Sequence, residues 1–424
     1  MLAKSKERIM HIAVLFVSII IAAMTKNYFM PNTGDFGRAI GWYLSSDVEG
    51  QYLTLKIGDV SARNFLSGFG YKSSYTLLVY CYTVFLSYFT DVFDLMLLSA
   101  SLKVTYIFSL FFLFSRVMKL NNETPLSQFA VFLVALIPCI SSSNLAFFSS
   151  FYQEQVVLIC LPILLLCLIA DKQRYFLFVV ATVIIISCSK SQFFYFPIII
   201  AIYYWIYGDR NVKKILVMIS IFILACTTII KTNGTVELNK YHATYFGIYQ
   251  LAETNGYELP VAVENSCIGI DAWGNKFNFE SGAIPTEIGM TCYNELKDKV
   301  SHLDVITFFI KNPQIIFTLP FDKGISTQLS ENYFHVYFGY KIIANNTGVL
   351  ADLTRIKDFL FDGSRLPVLF LVLPLSILFR KKRTGSAPAI SRFAASGAAE
   401  AGTGLAAGRK RRHTFRIDRK SCRV

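Results

Sequence analysis

Charged residues are scarce in this sequence. Asp, Glu, Lys and Arg make up 16% of its 424 residues, whereas hydrophobic residues make up 54% and the mean hydropathy is +0.47. Soluble domains usually carry about 25% charged residues. Apolar runs of roughly 20 residues recur along the chain, and this is the length that an α-helix needs to cross a bilayer. The composition therefore excludes an ordinary soluble protein and predicts several transmembrane helices.

The sequence also lacks the short motifs of several large enzyme and transporter classes. It contains no Walker phosphate-binding loop, no HExxH zinc motif, no GxSxG nucleophile motif and no Cys/His spacing typical of a metal site. The missing nucleotide-binding loop argues against an ATP-driven pump. We expect neither a metal ion nor another cofactor.

No small-residue cleavage site follows the first apolar run, at 9–29. Lys4, Lys6 and Arg8 precede this run, which indicates an uncleaved anchor with its N-terminus inside the cell rather than a signal peptide. The other apolar runs lie at 75–90, 95–115, 127–148, 156–170, 175–188, 193–207, 214–230 and 366–379.

Basic residues at the ends of these runs predict the orientation of the chain. The loop 209–214 and the basic residues 380–383 are placed inside. The two termini agree only if one run between 72 and 116 does not cross, and the Tyr- and Phe-rich run 75–90 suits the membrane interface. The sequence thus predicts a polytopic α-helical membrane protein with about eight transmembrane helices, plus one interfacial or re-entrant helix.

Two hydrophilic regions face the outside in this arrangement. The first is the loop 31–72, within a transmembrane core that covers 1–230. The second is 231–365, where 11 basic residues against 15 acidic ones leave a charge of −4. Its length and its Asn-Gly turn signals predict a mixed α/β or irregular periplasmic domain. Cys267 and Cys292 are the only cysteines in this region, and because the outer compartment is oxidising we predict a disulfide between them.

The C-terminal part has a different composition. Residues 366–383 are predicted to form the last transmembrane helix with its basic stop, and 384–424 are rich in Ala, Gly and Arg without periodicity. From residue 380 onward 13 basic residues face two acidic ones, so +11 of the net charge of +13 lies there. The positive-inside rule explains this charge without a nucleic-acid partner. The tail is predicted to be disordered, or to be out-of-frame or foreign sequence.

Charged residues just outside the apolar runs are the candidates for chemistry. Asp35, in NTGDFGRAIGW, can act as a general base towards a sugar hydroxyl, with Arg38 available to a phosphate. The alternative for Asp35 is a helix N-cap. Glu154, in SSFYQEQ, is either a second catalytic carboxylate or a solvated turn residue. Lys190 either binds the phosphate of a lipid or extends its ammonium group to the interface.

The outer region holds further candidates for binding the substrate. Lys240 and His242, in KYHATYFG, and His335, in NYFHVYFGY, can contact a phosphate or a sugar, although histidines in aromatic surroundings are more often structural. Trp273 can stack on a sugar face while Asp271 accepts hydrogen bonds from sugar hydroxyls. The alternative for Trp273 is a place in the core of the domain.

Several longer stretches resemble a known family. The stretches VELNKYHATYFG at 236–247, DAWGNKF at 271–277, IPTEIG at 284–289 and ENYFHVY at 331–337 are similar to those of the phage-type serotype-converting glucosyltransferases of enterobacteria. TGDFGRAI at 33–40 and SSFYQEQ at 149–155 match in the same order. The likeness covers roughly residues 10 to 380.

This resemblance implies a function. Members of the family take glucose from undecaprenyl-phosphate-glucose and transfer it to the O-antigen repeat unit of lipopolysaccharide, at the periplasmic face of the bacterial inner membrane. The implied partners are a small flippase and the bactoprenol glucosyltransferase that makes the donor. The overall plan looks GT-C-like, with a first-loop carboxylate as the base and the lipid phosphate as the leaving group. In this sequence the base would be Asp35, with Glu154 as the second acidic residue.

We therefore expect an inverting, metal-independent glucosyl transfer. Asp35 would take the proton of the acceptor hydroxyl, while Lys190, with Arg38 or Lys240, would hold the phosphate. One alternative is a lipid-sugar or O-antigen flippase, which would line its spans with charges, whereas these spans are nearly charge-free. Another is an inactive truncated copy, because related chains continue with further hydrophobic spans after the position of Arg380.

Overall fold

A computed structural model describes most of the chain up to residue 315 and short stretches beyond it. The described residues are 2–26, 28–29, 39–45, 53–67, 72–119, 124–140, 142–170, 173–207, 211–230, 234–258, 265–278, 282–299, 301–315, 337–338, 341–342, 352, 355–356 and 359. All of them belong to one compact unit, Met1–Gly363. The predicted last apolar run and the tail, 366–424, lie outside the described residues, as do Asp35, Arg38 and His335.

Apolar helices dominate the chain up to residue 230. In order they are α1 Leu2–Met24, α2 Ala62–Ser67, α3 Ser74–Ser87, α4 Leu95–Lys119, α5 Pro125–Leu136, α6 Ser142–Phe147, α7 Gln155–Ala170, α8 Phe176–Ser187, α9 Phe196–Tyr207 and α10 Val212–Ile230. Within the described part of the chain, α1, α4 and α10 contain the 3 segments long and apolar enough to cross a membrane by themselves. The chain is thus a helical membrane protein, and the larger number of spans stays a prediction.

The predicted run 127–148 is not one continuous helix. Helix α5 ends at Leu136, and Pro138 lies in the 3-10 turn Ile137–Cys139 that follows. Proline has no amide hydrogen to donate, and its ring crowds the preceding helical turn, which favours a break at this place. The short helix α6 then completes the run. An apolar stretch of sufficient length therefore does not by itself establish a membrane-spanning helix.

Two apolar clusters hold the helices together. One is buried among α3, α7, α8, α9, α10 and the first loop, and the other among α1, α4, α5 and α6. Helix α4 contributes Leu98 to the first cluster and Ile107 to the second, and so connects them. Large apolar side chains such as Phe16 and Phe178 remain exposed on the outer faces of the helices, at 65% and 58%. A lipid environment accommodates such faces, whereas water would not.

The first loop forms a small sheet against which α3 packs. The strands up to α4 are β1 Tyr28–Phe29, β2 Leu44–Ser45, β3 Thr54–Ile57 and β4 Val92–Asp94. Strands β2, β3 and β4 pair antiparallel in this order. The Tyr80 hydroxyl of α3 donates to the Val60 carbonyl at 2.8 Å, and the Tyr82 and Phe93 rings meet edge to face with centroids 5.7 Å apart. Helix α3 is therefore attached to the first loop at Val60 and to strand β4, which follows α3 in the sequence.

The region after α10 is a mixture of short helices and strands. Its elements are α11 Gly234–Tyr241, a π-helical segment His242–Ile248, α12 Tyr249–Asn255, β5 Asn275–Asn278, β6 Gly282–Pro285, α13 Thr291–Leu296, α14 His302–Lys311, β7 Tyr337–Phe338 and β8 Lys341–Ile342. Strands β5 and β6 form a hairpin, and β7 pairs with both β8 and β1. The pairing of β7 with β1 joins this region to the segment that follows α1.

A ladder of tyrosines forms the core of this outer region. Tyr241, Tyr245 and Tyr249 are buried, and their neighbouring ring centroids lie 4.8 and 4.9 Å apart. Four-residue spacing places side chains on the same helical face, which is why the three rings contact one another in tilted and edge-to-face arrangements. A disulfide joins Cys267 to Cys292 at the edge of this core. The outer region thus has a hydrophobic core of its own.

Candidate functional site

The structure brings two of the predicted site residues together, Glu154 and Lys190. Glu154 lies just before α7 and Lys190 just after α8, so two chain turns meet at one end of the helices. The Lys190 ammonium donates to Oε1 of Glu154 in an ion pair whose side chains are 14% and 28% exposed, respectively. A half-buried ion pair interacts more strongly than one in water because screening is weaker there. The pair therefore fixes an ammonium group at the edge of the buried region.

The turn 153–155 also carries buried oxygens that accept no hydrogen bond from any described residue. They are Oε1 of Gln153, Oε2 of Glu154 and Oε1 of Gln155. The amide nitrogen of Gln155 donates to the Tyr75 hydroxyl at 2.6 Å and to the Ser150 carbonyl at 3.0 Å, which identifies the other amide atom as the oxygen. Buried polar atoms are in general hydrogen-bonded. These oxygens are therefore suited to accept hydrogen bonds from a bound ligand or from water.

Lys103, in the middle of α4, was missed by the sequence interpretation. Its side chain is 1% exposed, and its ammonium donates to the Thr25 carbonyl at 2.8 Å and to the Ser149 hydroxyl at 3.2 Å. Ser99, one turn earlier on α4, shares a hydrogen bond with Ser149 at 2.6 Å. The expectation of nearly charge-free spans overlooked this residue. A single lysine inside an apolar run was the available signal, because ionisable groups at membrane depth are costly and often functional.

Lys103 connects the site to the end of α1. Thr25 directly follows α1, and the chain then continues through β1 towards the segment that contains Asp35. Ser149 begins the stretch that ends in the turn 153–155. The lysine thus bonds two separate segments, each of which leads to a predicted catalytic carboxylate.

Asp271 and Trp273 form a turn in the outer region. The Asp271 carboxylate accepts from the amides of Trp273 and Asn275, both at 2.8 Å, and from the Asn275 side chain. These bonds occupy both oxygens of Asp271 with the geometry of the turn. Trp273 is 51% exposed and does not belong to the core. Of the two residues, Trp273 is thus the one that remains accessible to a sugar ring.

His242 and Lys240 are also engaged within the outer region. Nε2 of His242 accepts from the Ala272 amide at 2.9 Å, and its ring lies 5.2 Å from that of Trp273. Lys240 forms an ion pair with Glu237 at 2.6 Å, one turn earlier on α11. His242 therefore stabilises the Trp273 turn by a hydrogen bond and a ring contact. The structure brings His242, Asp271 and Trp273 together.

Three predicted residues fall on segments outside the described part of the chain. Asp35 and Arg38 follow β1 in the sequence, and His335 precedes β7. Because β1 and β7 pair with each other, the segments that carry these residues begin or end at one sheet. Their roles stay predictions. Among the described residues, no three His, Cys, Asp or Glu side chains converge as metal ligands do.

Comparison with known proteins identifies relatives of the chain. A family model described as the YfdI N-terminal transmembrane domain matches residues 2–326. The chain is also 39% identical over 377 residues to the uncharacterized protein YfdI of Escherichia coli (strain K12), an alignment that covers 87% of this chain and 83% of that protein. No solved structure matches the chain.

Proposed function

The chain belongs to the family of the YfdI N-terminal transmembrane domain, and from the chemistry of its candidate site we propose that it is a membrane glycosyltransferase. In this proposal it transfers glucose from undecaprenyl-phosphate-glucose to O-antigen repeat units of lipopolysaccharide, at the periplasmic face of the bacterial inner membrane. The carrying observation is the turn 153–155, where the Lys190 ammonium lies beside buried acceptor oxygens. A sugar phosphate offers the complementary groups, which are an anion and several hydroxyl donors.

The proposed reaction is a direct displacement at the anomeric carbon. The oxygen of the acceptor hydroxyl attacks C1 of glucose, the bond from C1 to the phosphate oxygen breaks, and undecaprenyl phosphate leaves with the electron pair. Asp35 takes the hydroxyl proton, and attack from the opposite face inverts the configuration. Cationic side chains stabilise the leaving phosphate, so the scheme requires no metal ion.

The described contacts refine the proposed role of each charged residue. Lys190 contacts the phosphate, and Glu154 keeps its ammonium in position. Lys240 and Arg38 were the two candidates for a second cation, and Lys240 pairs with Glu237 one turn earlier on α11. We favour Arg38 because it neighbours the proposed base in the sequence. Glu154 is accordingly a positioning residue in this scheme, with one oxygen still able to accept a hydrogen bond.

The proposed topology has about eight spans and a GT-C-like plan, with α3 at the interface. The contacts of α3 with the first-loop sheet support its assignment as the helix that does not cross. Helix α7 has 16 residues and is therefore about 24 Å long, several ångströms less than the hydrocarbon core of a bilayer. Local thinning of the bilayer or flanking turns must make up the difference if it spans.

A lipid-sugar flippase is the second candidate, and Lys103 is the observation that favours it. A charge inside a span is typical of substrate pathways in transporters. In the structure, however, Lys103 is buried and already donates to two protein oxygens. This arrangement fits a fixed structural connection better than a group that meets a passing headgroup.

The O-antigen structure of a strain with and without this gene tests the proposal. The strain must carry the implied partners, a small flippase and a bactoprenol glucosyltransferase, so that the donor is present. We expect a glucose branch on the repeat unit only when the gene is expressed. If the repeat unit is unchanged although donor is present in the periplasm, this chain does not transfer glucose, and the transferase proposal is ruled out for it. In a strain that lacks the small flippase, loss of donor from the periplasmic leaflet upon deletion of this gene would favour the flippase.

A further inference from the structure

A cavity adjoins the Glu154–Lys190 pair on the side of α3. The free space there measures about 190 Å³, a volume that includes open solvent. Its polar lining consists mainly of Lys72, Ser73, Ser187, Lys190, Ser191 and Thr228. These residues come from the start of α3, the turn after α8 and the end of α10. Two lysines and four hydroxyl-bearing residues thus line one small space, although the Ser187 and Thr228 hydroxyls donate to main-chain carbonyls of their own helices.

Lys72 is held at this cavity by contacts with the first loop. Its ammonium lies 4.9 Å from the centre of the Phe65 ring and donates to the Phe65 carbonyl. Burial lowers the pKa of Lys72 from its usual value, because the partly desolvated ammonium is less stable than in water. A bound anion would restore the favourable environment of the charged form. The sequence interpretation did not single out this lysine.

Ser73 presents a buried hydroxyl group to the cavity. It is 8% exposed and is the N-cap of α3, where its hydroxyl oxygen accepts from the Thr76 amide at 3.2 Å. The hydroxyl hydrogen itself is donated to no described residue. The N-terminus of a helix carries partial positive charge, which further favours an anion at this place.

We propose that this cavity binds the phosphate of a polyprenyl-linked sugar, with Lys72 as a further cation beside Lys190, in addition to Arg38. The inference rests on the proposed function and assigns one of its subsites to residues of α3 and the α8–α9 turn. Two lysine ammonium groups thus lie at this cavity, one of them paired with Glu154. Undecaprenyl-phosphate-glucose is a phosphodiester with one negative charge, which ammonium groups attract. The two ammonium groups and the Ser73 hydroxyl can donate hydrogen bonds to its oxygens.

Binding of undecaprenyl phosphate to the purified full-length chain in nanodiscs tests this subsite. We expect Lys72→Gln to weaken binding at least about tenfold, in line with the loss of a charge-assisted hydrogen bond. Lys72→Arg should retain most of the affinity. Lys56→Gln is the matched control, because Lys56 is an exposed lysine on β3 outside the cavity. Undecaprenol should bind all variants equally. If inorganic phosphate competes with undecaprenyl phosphate, the phosphate group alone suffices for binding at the cavity. If it does not compete, binding also needs the lipid chain.

Alkylation of Cys188 provides a measurement that needs no substitution. Cys188 lines the same cavity, whereas Cys81 is exposed on α3. We expect undecaprenyl phosphate, but not undecaprenol, to slow alkylation of Cys188 several-fold and to leave Cys81 unchanged. Equal alkylation of Cys188 with and without the phosphate lipid would overturn the proposed subsite, as would wild-type affinity in Lys72→Gln.

The same variants separate this inference from the proposed function. If the chain transfers glucose and Lys72→Gln has the wild-type KM for the donor, the subsite is wrong and the transferase proposal stands. If undecaprenyl phosphate binds in a manner that depends on Lys72 but no glucose is transferred, the subsite stands and the transferase proposal fails.

Discussion

Lys103 places a positive charge inside α4 without contact to a carboxylate among the described residues. Burying such a charge is costly, and an apolar isostere can be equally stable or more stable. We expect Lys103→Met to keep or raise the melting temperature of the purified chain while lowering glucose transfer at least about tenfold. Transfer would fall because no side chain would then hydrogen-bond both Thr25 and Ser149. Stability would not fall, because residues that are retained for function often reduce it.

Two variants distinguish the effect of the Lys103 charge from that of packing around it. Lys103→Arg keeps the charge, and Ser99→Ala keeps the lysine. Ser99→Ala removes a hydrogen bond to Ser149 but leaves the Lys103 contacts in place, so it should have the smaller effect on transfer. A lower melting temperature in Lys103→Met with a normal transfer rate would show that this lysine is purely structural.

Asp35→Asn separates catalysis from helix capping at the proposed base. Asparagine caps a helix about as well as aspartate but cannot take a proton. We expect a loss of transfer by roughly 10²–10⁴-fold at an unchanged protein level, which corresponds to removal of a general base. The check is the glucose content of O-antigen from cells that express each form. Wild-type glucose content in Asp35→Asn would move the role of base to Glu154.

Single residues also show where sequence interpretation succeeds and where it stops. Glu154 and Lys190 could be selected because each is an isolated charge at the end of an apolar run, but their pairing depends on how α7 and α8 pack. Lys72 and Ser73 gave no signal, because the chain beside them meets the end of α8 through distant contacts, such as that of the Ser74 amide, which donates to the Cys188 carbonyl at 3.0 Å. Such contacts join residues more than 100 positions apart and leave no local pattern.

At the scale of elements, the Trp273 turn depends on a close approach of two glycines. Gly274 has a φ of +80°, and a Cβ atom added there would lie 2.1 Å from the Gly289 carbonyl carbon. Gly256, at the end of α12, has a similar φ of +70° but no atom within 4 Å of an added Cβ. Both alanine substitutions impose backbone strain of about 1 kcal/mol. Only Gly274→Ala adds a clash with main-chain atoms.

We therefore expect Gly274→Ala to destabilise the outer region by about 1–3 kcal/mol more than Gly256→Ala. Reduction and mass-tag alkylation of the Cys267–Cys292 disulfide at increasing urea concentration would measure this difference. The disulfide in Gly274→Ala should become reducible at lower urea than in the control. If the disulfide becomes reducible at the same urea concentration in both variants, the main chain at Gly274 and Gly289 can move apart without loss of stability.

Helix boundaries were the least predictable elements. Apolar length located the helices but missed the break at Pro138, where a missing donor overrides hydrophobicity. The run 75–90 was recognised as unusual from its Tyr and Phe content, and two of these aromatic rings do contact the first-loop sheet or its strand residues. The outer region was predicted only as mixed, since its short strands and π-helical segment lack a repeating pattern.

At the scale of the whole molecule, the topology proposal fixes which ends of the helices share a compartment. The asymmetry of basic residues predicts that reporter fusions at Glu280 are periplasmic, and that fusions at Arg210 and Lys382 are cytoplasmic. Enzymatic reporters that are active in only one compartment can measure this. A cytoplasmic signal at Glu280 would place the Glu154–Lys190 pair on the wrong side for a periplasmic donor.

Glucose transfer by the purified full-length chain is the most direct measurement of the central claim. The reaction would contain undecaprenyl-phosphate-glucose labelled in the sugar, an O-antigen repeat unit as acceptor, and a chelator of divalent metals. The account predicts that label moves to the acceptor with inversion at C1, and that Asp35→Asn abolishes the transfer. Label that stays on the lipid with the wild-type chain, under conditions in which the chain is folded and binds the donor, would contradict it.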